Sequence, residues 1–136
     1  MIRKILTGVL ILTLAGSCDK MQVYEPAMVM QPAATFKDDH IDIVDVKLDQ
    51  PASGGVRFRF KTRYEVDVQK IEVLSGKTRN NLCTFFEAEI SSDSHAFKSY
   101  EAIDATAPKQ VNYYMVRYFT NSGDWAFSPI YQINVQ

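Results

Sequence analysis

Three short stretches of this 136-residue chain hold side chains that could carry out acid–base or metal chemistry. In "SSDSHAF", His95 follows Asp93 and Ser94, but no nucleophile motif such as Gly-x-Ser-x-Gly accompanies it. Glu87 and Glu89 share one face of a predicted strand about 7 Å apart, a separation that glycosidase carboxyl groups can have. Alternating acids are common on exposed strands, so we expect surface residues and a protein that is not an enzyme.

The third stretch, "KDDHID", places His40 among three aspartates, Asp38, Asp39 and Asp42. Carboxylates favour Ca²⁺, but a calcium loop has a defined ligand spacing and a glycine at its bend, which this stretch lacks. Cys83 has no cysteine or histidine nearby at a zinc-ligand spacing, and we expect it to be a small buried apolar residue. The sequence therefore predicts neither a metal nor a cofactor.

The N-terminus has the pattern of a secretory signal peptide. Residues 5–14, "ILTGVLILTL", form an apolar run that follows Arg3 and Lys4 and precedes small residues. A helix that spans a bilayer needs about 20 apolar residues, roughly twice the length of this run. We therefore predict that residues 1–17 are a signal peptide and lie outside the folded domain.

The stretch "LAGSCDK", residues 14–20, contains the predicted cleavage point. It resembles the lipobox of bacterial lipoproteins, in which the cysteine thiol receives a diacylglycerol and the cysteine becomes the new N-terminus. The resemblance implies that Cys18 carries a lipid with palmitate-type chains. It also implies an anchor in the cell envelope, expected at the outer membrane on its periplasmic or its outer side. In the alternative, Ala15 and Ser17 satisfy the rule for ordinary signal peptidase, which would release a secreted chain.

Length and charge limit what the mature chain can be. Removal of the signal peptide takes away Arg3 and Lys4, so the formal net charge changes from −1 to −3. This charge argues against a nucleic-acid partner. The 119 residues that remain suit one hydrophobic core.

The mature chain divides into a tether and a domain. Residues 18–36 contain Pro26 and Pro32 and show no sustained period, which predicts a lipid-attached tether. Residues 37–136 are then the folded domain. In the alternative, four apolar residues of the tether form a first strand or lie against the domain: Val23, Tyr24, Val29 and Met30.

From Ile41 onward the apolar residues recur with a period of two, which indicates strands with one buried face. Seven strands separated by turn signals are predicted, at 41–48, 56–64, 68–74, 82–90, 96–103, 111–119 and 130–136. Short strands at regular spacing, without a long helical segment, predict an all-β fold, a seven-stranded antiparallel β-sandwich.

Apolar and cationic residues alternate in the strand "VRFRFKTRY". We expect its four cations to form a solvated outer face, paired with Asp and Glu of neighbouring strands. Four cations on one face also raise the alternative of a surface for nucleic acid or an anionic glycan.

Residues 113–135, "YYMVRYFTNSGDWAFSPIYQINV", resemble the last two strands of a fibronectin type III domain, an immunoglobulin-like β-sandwich. The resemblance implies that Tyr114, Val116 and Tyr118 point into the core. It also implies that Tyr114 is a corner tyrosine, whose hydroxyl bonds to nearby backbone and pins the crossover between sheets.

Strand parity then places the intervening residues of this segment on the outer face. Tyr, Trp, Met and Arg are enriched at interfaces, and monomers seldom expose large apolar patches. The predicted partner surface comprises Tyr113, Met115, Arg117, Phe119, Trp125 and Phe127. In the alternative, the tether or the connection around residues 75–95 covers this face.

These features predict a lipid-anchored, non-enzymatic cell-envelope protein whose single sandwich domain contacts a partner protein or serves as a structural module. The alternative is a carbohydrate-binding module in which Trp125, Tyr113 and Phe127 stack on sugar rings. The sequence fixes neither the partner nor the oligomeric state.

Overall fold

The structure is a computed structural model that describes the backbone of Val29–Met30 and all of residues 35–136. The described residues form ten strands and no helix, so the all-β prediction is confirmed. The strands are β1 (Val29–Met30), β2 (Phe36–Lys37), β3 (Ile41–Asp49), β4 (Val56–Glu65), β5 (Val68–Thr78), β6 (Asn81–Glu89), β7 (Lys98–Asp104), β8 (Val111–Thr120), β9 (Trp125–Phe127) and β10 (Ile130–Asn134).

Each of the seven predicted segments contains a strand, but the predicted number of seven strands is wrong. The additional strands are β1, β2 and β9, which have two or three residues each. A strand of this length is too short to show alternation between apolar and polar residues, so the period-two pattern does not reveal it.

The strands form two sheets. Sheet I has the order β1-β10-β8-β5-β6, with β9 also paired to β8, and sheet II has the order β2-β3-β4-β7. All neighbours run antiparallel except β1 and β10, which are parallel. The chain changes sheets between β1 and β2, between β4 and β5, between β6 and β7, and between β7 and β8, so crossovers link the two layers.

The hydrophobic core contains side chains from both sheets, as a β-sandwich requires. On sheet II, Phe58 lies with its ring centroid 6.0 Å from that of Tyr114 and 5.8 Å from that of Tyr131, both on sheet I. Val116 and Tyr118 are also buried, so the predicted inward positions of β8 are confirmed. Each fully buried large apolar side chain stabilises the fold by about 1.5–3 kcal/mol.

The predicted tether and the described residues overlap at two places. Val29–Met30 form β1 beside β10, in agreement with the alternative that part of this segment is a first strand. Phe36, at the end of the same segment, begins β2 and packs against the core. The predicted signal peptide, Cys18, Val23 and Tyr24 lie outside the described residues.

Candidate functional site

The outer face of sheet I carries the predicted partner surface, but part of that surface is buried. Met115 lies opposite Leu74 on β5 and is 0% exposed. It packs with Leu74, Leu82 and Ile130 in a second apolar cluster, which we call the outer cluster. The prediction that Met115 is exposed is therefore wrong. Leu82 comes from the connection around residues 75–95, which the alternative named as a possible cover for this face.

Arg117 was also predicted to be exposed, and it is buried with only 7% exposed. Its Nε and Nη2 atoms donate hydrogen bonds to Oε1 of Glu72, at 2.8 and 2.6 Å. Lys70 Nζ lies 3.3 Å from the other carboxylate oxygen of Glu72. Arg117 stays buried because this carboxylate compensates its charge, as a buried charge requires.

Glu72 itself is almost fully buried. Burial opposes ionisation of its carboxyl group, but hydrogen bonds and the charges of Arg117 and Lys70 outweigh it and hold the pKa of Glu72 below the ordinary value of 4.5. At neutral pH the site is therefore an ionised cluster that holds β5 and β8 together.

An aromatic patch, defined here as Phe119, Trp125 and Phe127, lies beside this ion pair. Trp125 is 52% exposed and stacks on Phe127, with ring centroids 5.7 Å apart and planes at 26°. Phe119 lies opposite Trp125 in the pairing of β8 with β9. The cations of Lys70 and Arg117 lie over the Phe119 ring, at 4.8 and 5.1 Å from its centroid. The patch therefore combines one open aromatic ring with fixed charges.

Tyr113 belongs to the same face but not to the aromatic patch. It is half-buried and packs against the outer cluster. Tyr113 and Phe119 are six positions apart on β8, a distance of about 20 Å at the rise of an extended strand. A single sugar ring therefore cannot stack on Tyr113 and Trp125 at once, as the carbohydrate-binding alternative would need for a compact site.

Two local features place the aromatic patch. The turn from β8 to β9 is closed by the Thr120 N–H, which donates to the Asp124 carbonyl at 2.8 Å, and Gly123 takes the positive φ of 93° that this turn needs. After β9, Ser128 interrupts the strand. Its Oγ accepts a hydrogen bond from the Val116 amide at 3.0 Å, while its own N–H donates to the Val116 carbonyl at 2.8 Å.

Tyr114 lies at the crossover from β7 to β8, as the fibronectin resemblance implies, but its partner differs from the expectation. Its hydroxyl donates a 2.8 Å hydrogen bond to Oδ2 of Asp104, a side chain, and not to backbone. Burial and this carboxylate raise the pKa of Tyr114 above its ordinary value. Asp104 ends β7, so the bond still joins the two sheets at their crossover.

The cations of β4 form the solvated outer face that was predicted for sheet II. All four pair with aspartates of β3, and Asp49 takes two of them, Arg57 at 2.9 Å and Arg59 at 2.7 Å. The other pairs are Lys61 with Asp45 and Arg63 with Asp42, at 3.7 and 3.9 Å. Cross-strand charge pairing on an exposed face is therefore confirmed.

Sequence patterns gave no indication of a buried acid at the end of β4. Glu65 is 0% exposed and accepts hydrogen bonds from Lys98 Nζ at 2.7 Å, Thr62 Oγ1 at 2.9 Å and the Tyr100 hydroxyl. Its main chain bridges to Ser94. These bonds satisfy the carboxylate and fasten the connection that precedes β7, which is a structural role.

The residues first considered for chemistry are spread over the domain. His40 bonds through Nδ1 to the Val66 carbonyl at 3.0 Å, and His95 is exposed beside the Tyr64 ring. Glu87 and Glu89 are both exposed, on the edge strand β6. Within the described part of the chain, no group of three or more His, Cys, Asp or Glu side chains is arranged to hold a metal ion.

Cys83 differs from its predicted role as a small buried apolar residue. It is only partly buried and it is disulfide-bonded. The prediction is wrong because Cys83 lies on β6, an edge strand of sheet I whose side chains are mostly half-exposed. The other cysteine of the chain, Cys18, lies outside the described residues.

Comparisons with known proteins identify no relative of this chain. We found no family model that matches the chain, no similar curated protein and no similar solved structure. As for membrane insertion, a search of the described residues finds no helix with the length and apolar character to cross a bilayer.

Proposed function

We propose that this chain is a lipid-anchored protein of the bacterial cell envelope, with a signal peptide at residues 1–17 and a lipid on Cys18, and that its sandwich domain is a non-enzymatic interaction module. The observation that carries the binding role is the aromatic patch, in which Trp125 is half-exposed and is held in place by Phe127. A large aromatic residue that is open to solvent and stacked on a neighbour is typical of an interface.

The proposal includes a fibronectin type III-like fold, which the strand order supports. In immunoglobulin-like sandwiches the strands A, B and E lie in one sheet, and C, C′, F and G lie in the other. In sheet II the neighbouring strands β3, β4 and β7 correspond to A, B and E. In sheet I the strands β10, β8, β5 and β6, in that order, correspond to G, F, C and C′. The bond between Tyr114 and Asp104 then takes the place of the corner bond of that family.

The lipid anchor is proposed from the sequence "LAGSCDK". A disulfide bond is the competing state of the Cys18 sulfur atom, and experiment can distinguish the two states. A sulfur atom joined to a diacylglycerol by a thioether cannot also form a disulfide. Acylation of Cys18 and a disulfide between Cys18 and Cys83, the two cysteines of the chain, therefore exclude each other. A single acyl chain binds a membrane only marginally, whereas two or three chains, at about 0.8 kcal/mol per buried methylene, anchor a protein stably.

Labelling of cells with palmitate, followed by detergent phase partitioning, tests the anchor. We expect the wild-type chain and Cys83→Ala to incorporate label and enter the detergent phase, and Cys18→Ala to do neither. An unlabelled mature chain in which a peptide containing Cys18 is disulfide-linked to one containing Cys83 would contradict the proposal.

The binding role is tested by photo-crosslinking in intact cells from position 125. Phe97, which is 66% exposed and lies outside the aromatic patch, provides a matched control position. We expect a discrete adduct with an envelope protein from position 125 and none from position 97. Binding to a defined polysaccharide in affinity electrophoresis, lost in Trp125→Ala, would favour the carbohydrate-binding alternative instead.

A further inference from the structure

A groove of about 350 Å³ lies on the outer face of sheet II, on the opposite layer from the aromatic patch. Strands β3, β4 and β7 supply its walls. The polar and charged side chains that line it are Asp45, Lys47, Arg59, Lys61, Ser99 and Glu101.

A β-bulge in β3 shapes one wall of the groove. The pairing of β3 with β4 shifts between Val44 and Lys47, and Asp45 takes a positive φ of 53°, an uncommon value for a residue other than glycine. Asp45 and Lys47, on either side of the buried Val46, are both exposed. Three residue steps on β3, from Val44 to Lys47, lie opposite two on β4, from Lys61 to Arg59, so the bulge adds one residue to β3 at this wall of the groove.

The rest of the groove follows from strand register. Arg59 on β4 is directly opposite Lys47 on one side and Glu101 on the other. Lys61, two residues further along β4, is directly opposite Ser99. Two adjacent rows of polar side chains therefore cross the three strands.

The residues that line the groove carry a net positive charge, with three cations and two carboxylates. Among residues 35–136, Lys47 makes no ion pair. Lys61 and Asp45 are 3.7 Å apart and about half-exposed, so their pair is weak and easily exchanged. Arg59 is held by Asp49 through Nη2, but its Nε has no acceptor among the described residues.

We infer that this groove binds a small anionic ligand that also carries hydroxyl groups, the chemistry of an acidic sugar. Lys47 and Lys61 receive the oxyanion, a carboxylate or a phosphate, beside the guanidinium of Arg59. The carboxylate of Glu101 and the hydroxyl of Ser99 bond to the hydroxyl groups of the ligand. Exposed charges are screened by salt, so we expect the dissociation constant to rise with ionic strength.

Titration of the ¹⁵N-labelled mature chain with glucuronate, glucose 6-phosphate and glucose tests this inference by NMR. We expect at least one of the two anions to shift amide signals of residues 45–47, 59–61 and 99–101, and glucose to leave them unchanged. The anion that binds more tightly identifies carboxylate or phosphate as the preferred group. Lys47→Gln should weaken binding roughly tenfold, because one charged donor is lost.

Lys77→Gln is the matched control, since Lys77 is exposed on β5 in the other sheet. It should leave the dissociation constant unchanged, and both variants should keep the wild-type melting temperature because both side chains are exposed. The inference fails if neither anion shifts these signals, if glucose shifts them equally, or if Lys77→Gln weakens binding as much as Lys47→Gln. It is independent of the lipid anchor and of the aromatic patch.

Discussion

Two buried tyrosines of sheet I, Tyr114 and Tyr131, provide a matched test of what holds the β7–β8 crossover. Both side chains are 0% exposed and both rings pack on Phe58. They differ at the hydroxyl group, because Tyr114 donates to Asp104 whereas the Tyr131 oxygen has no hydrogen-bond partner among the described residues. Replacement of each by Phe removes one oxygen atom and leaves the ring.

The expected effect of Tyr114→Phe follows from the charge of its partner. A hydrogen bond to a charged group contributes about 1.5–3 kcal/mol. Asp104 is only half-buried, so water replaces part of the lost bond and the lower end, about 1.5 kcal/mol, is expected. In a domain of about 100 residues this lowers the melting temperature by roughly 6–12 °C.

Tyr131→Phe should have no cost, or a small gain in stability, because it removes a buried polar atom that lacks a partner. Burial raises the pKa of Tyr131 to about 12, although the nearby Ser128 side chain acts in the opposite direction, so the hydroxyl group stays neutral. Urea unfolding followed by circular dichroism gives the free energy of unfolding for the wild-type chain and both variants. Equal losses in the two variants, or no loss in Tyr114→Phe, would refute the assignment of Tyr114 as the corner residue.

Three further predictions concern backbone, packing and charge. Gly54→Ala should cost about 1–2 kcal/mol for its positive φ, and Gly55→Ala should cost more, since its Cβ would also run into the Asp104 carbonyl; equal melting temperatures would argue against this close approach. Met115→Ala should cost about 2–5 kcal/mol in urea unfolding although it faces away from the main core, and a cost below about 1 kcal/mol would mean that the outer cluster is not a packed layer. The lowered pKa of Glu72 contributes stability above pH 4.5 that is lost as pH falls, so the free energy of unfolding should decline in acid and decline less in Glu72→Gln; parallel curves for the two proteins would exclude this source.

Period-two alternation was sufficient to predict most of the architecture. On β4, the inward positions of Phe58 and Phe60 and the outward positions of Arg57 and Arg59 agree with the structure. On β8, the even-numbered residues from Tyr114 to Tyr118 are buried as expected. The prediction is right for these residues because one face of each strand packs against the core, and the alternation of apolar and polar residues reflects which face is buried.

Strand alternation predicted exposure wrongly where the second face of a strand is also covered by other residues. Met115 is buried by Leu74, Leu82 and Ile130, which come from three other strands and form no local pattern. Arg117 is buried because Glu72, 45 residues earlier, supplies the opposite charge. The burial of such side chains depends on which residues of other strands lie beside them, and the strand order of the sheet determines these neighbours.

Glu65 was missed for a related reason. The pairing of β3 with β4 shifts between Ile41 and Ile43, so that Ile41 is opposite Glu65 while Ile43 is opposite Thr62. This irregularity at the end of β4 breaks the alternation and buries a carboxylate whose neighbours in sequence are Tyr and Val. The partner cation, Lys98, is 33 residues away. Neither the bulge nor the distant partner has a signature in the local sequence.

The interruption at Ser128 also affects whether strands of neighbouring molecules can pair with this edge of sheet I. β1 occupies the outer side of β10, whereas within the described residues β9 pairs with β8 alone. A long unpaired margin would recruit strands from neighbouring molecules and lead to polymerisation. Here the unpaired strand, β9, is three residues long, and Pro129, which has no N–H to donate, follows it after Ser128. At this end of sheet I, the short β9 thus gives a neighbouring molecule little unpaired backbone to which a strand could be added.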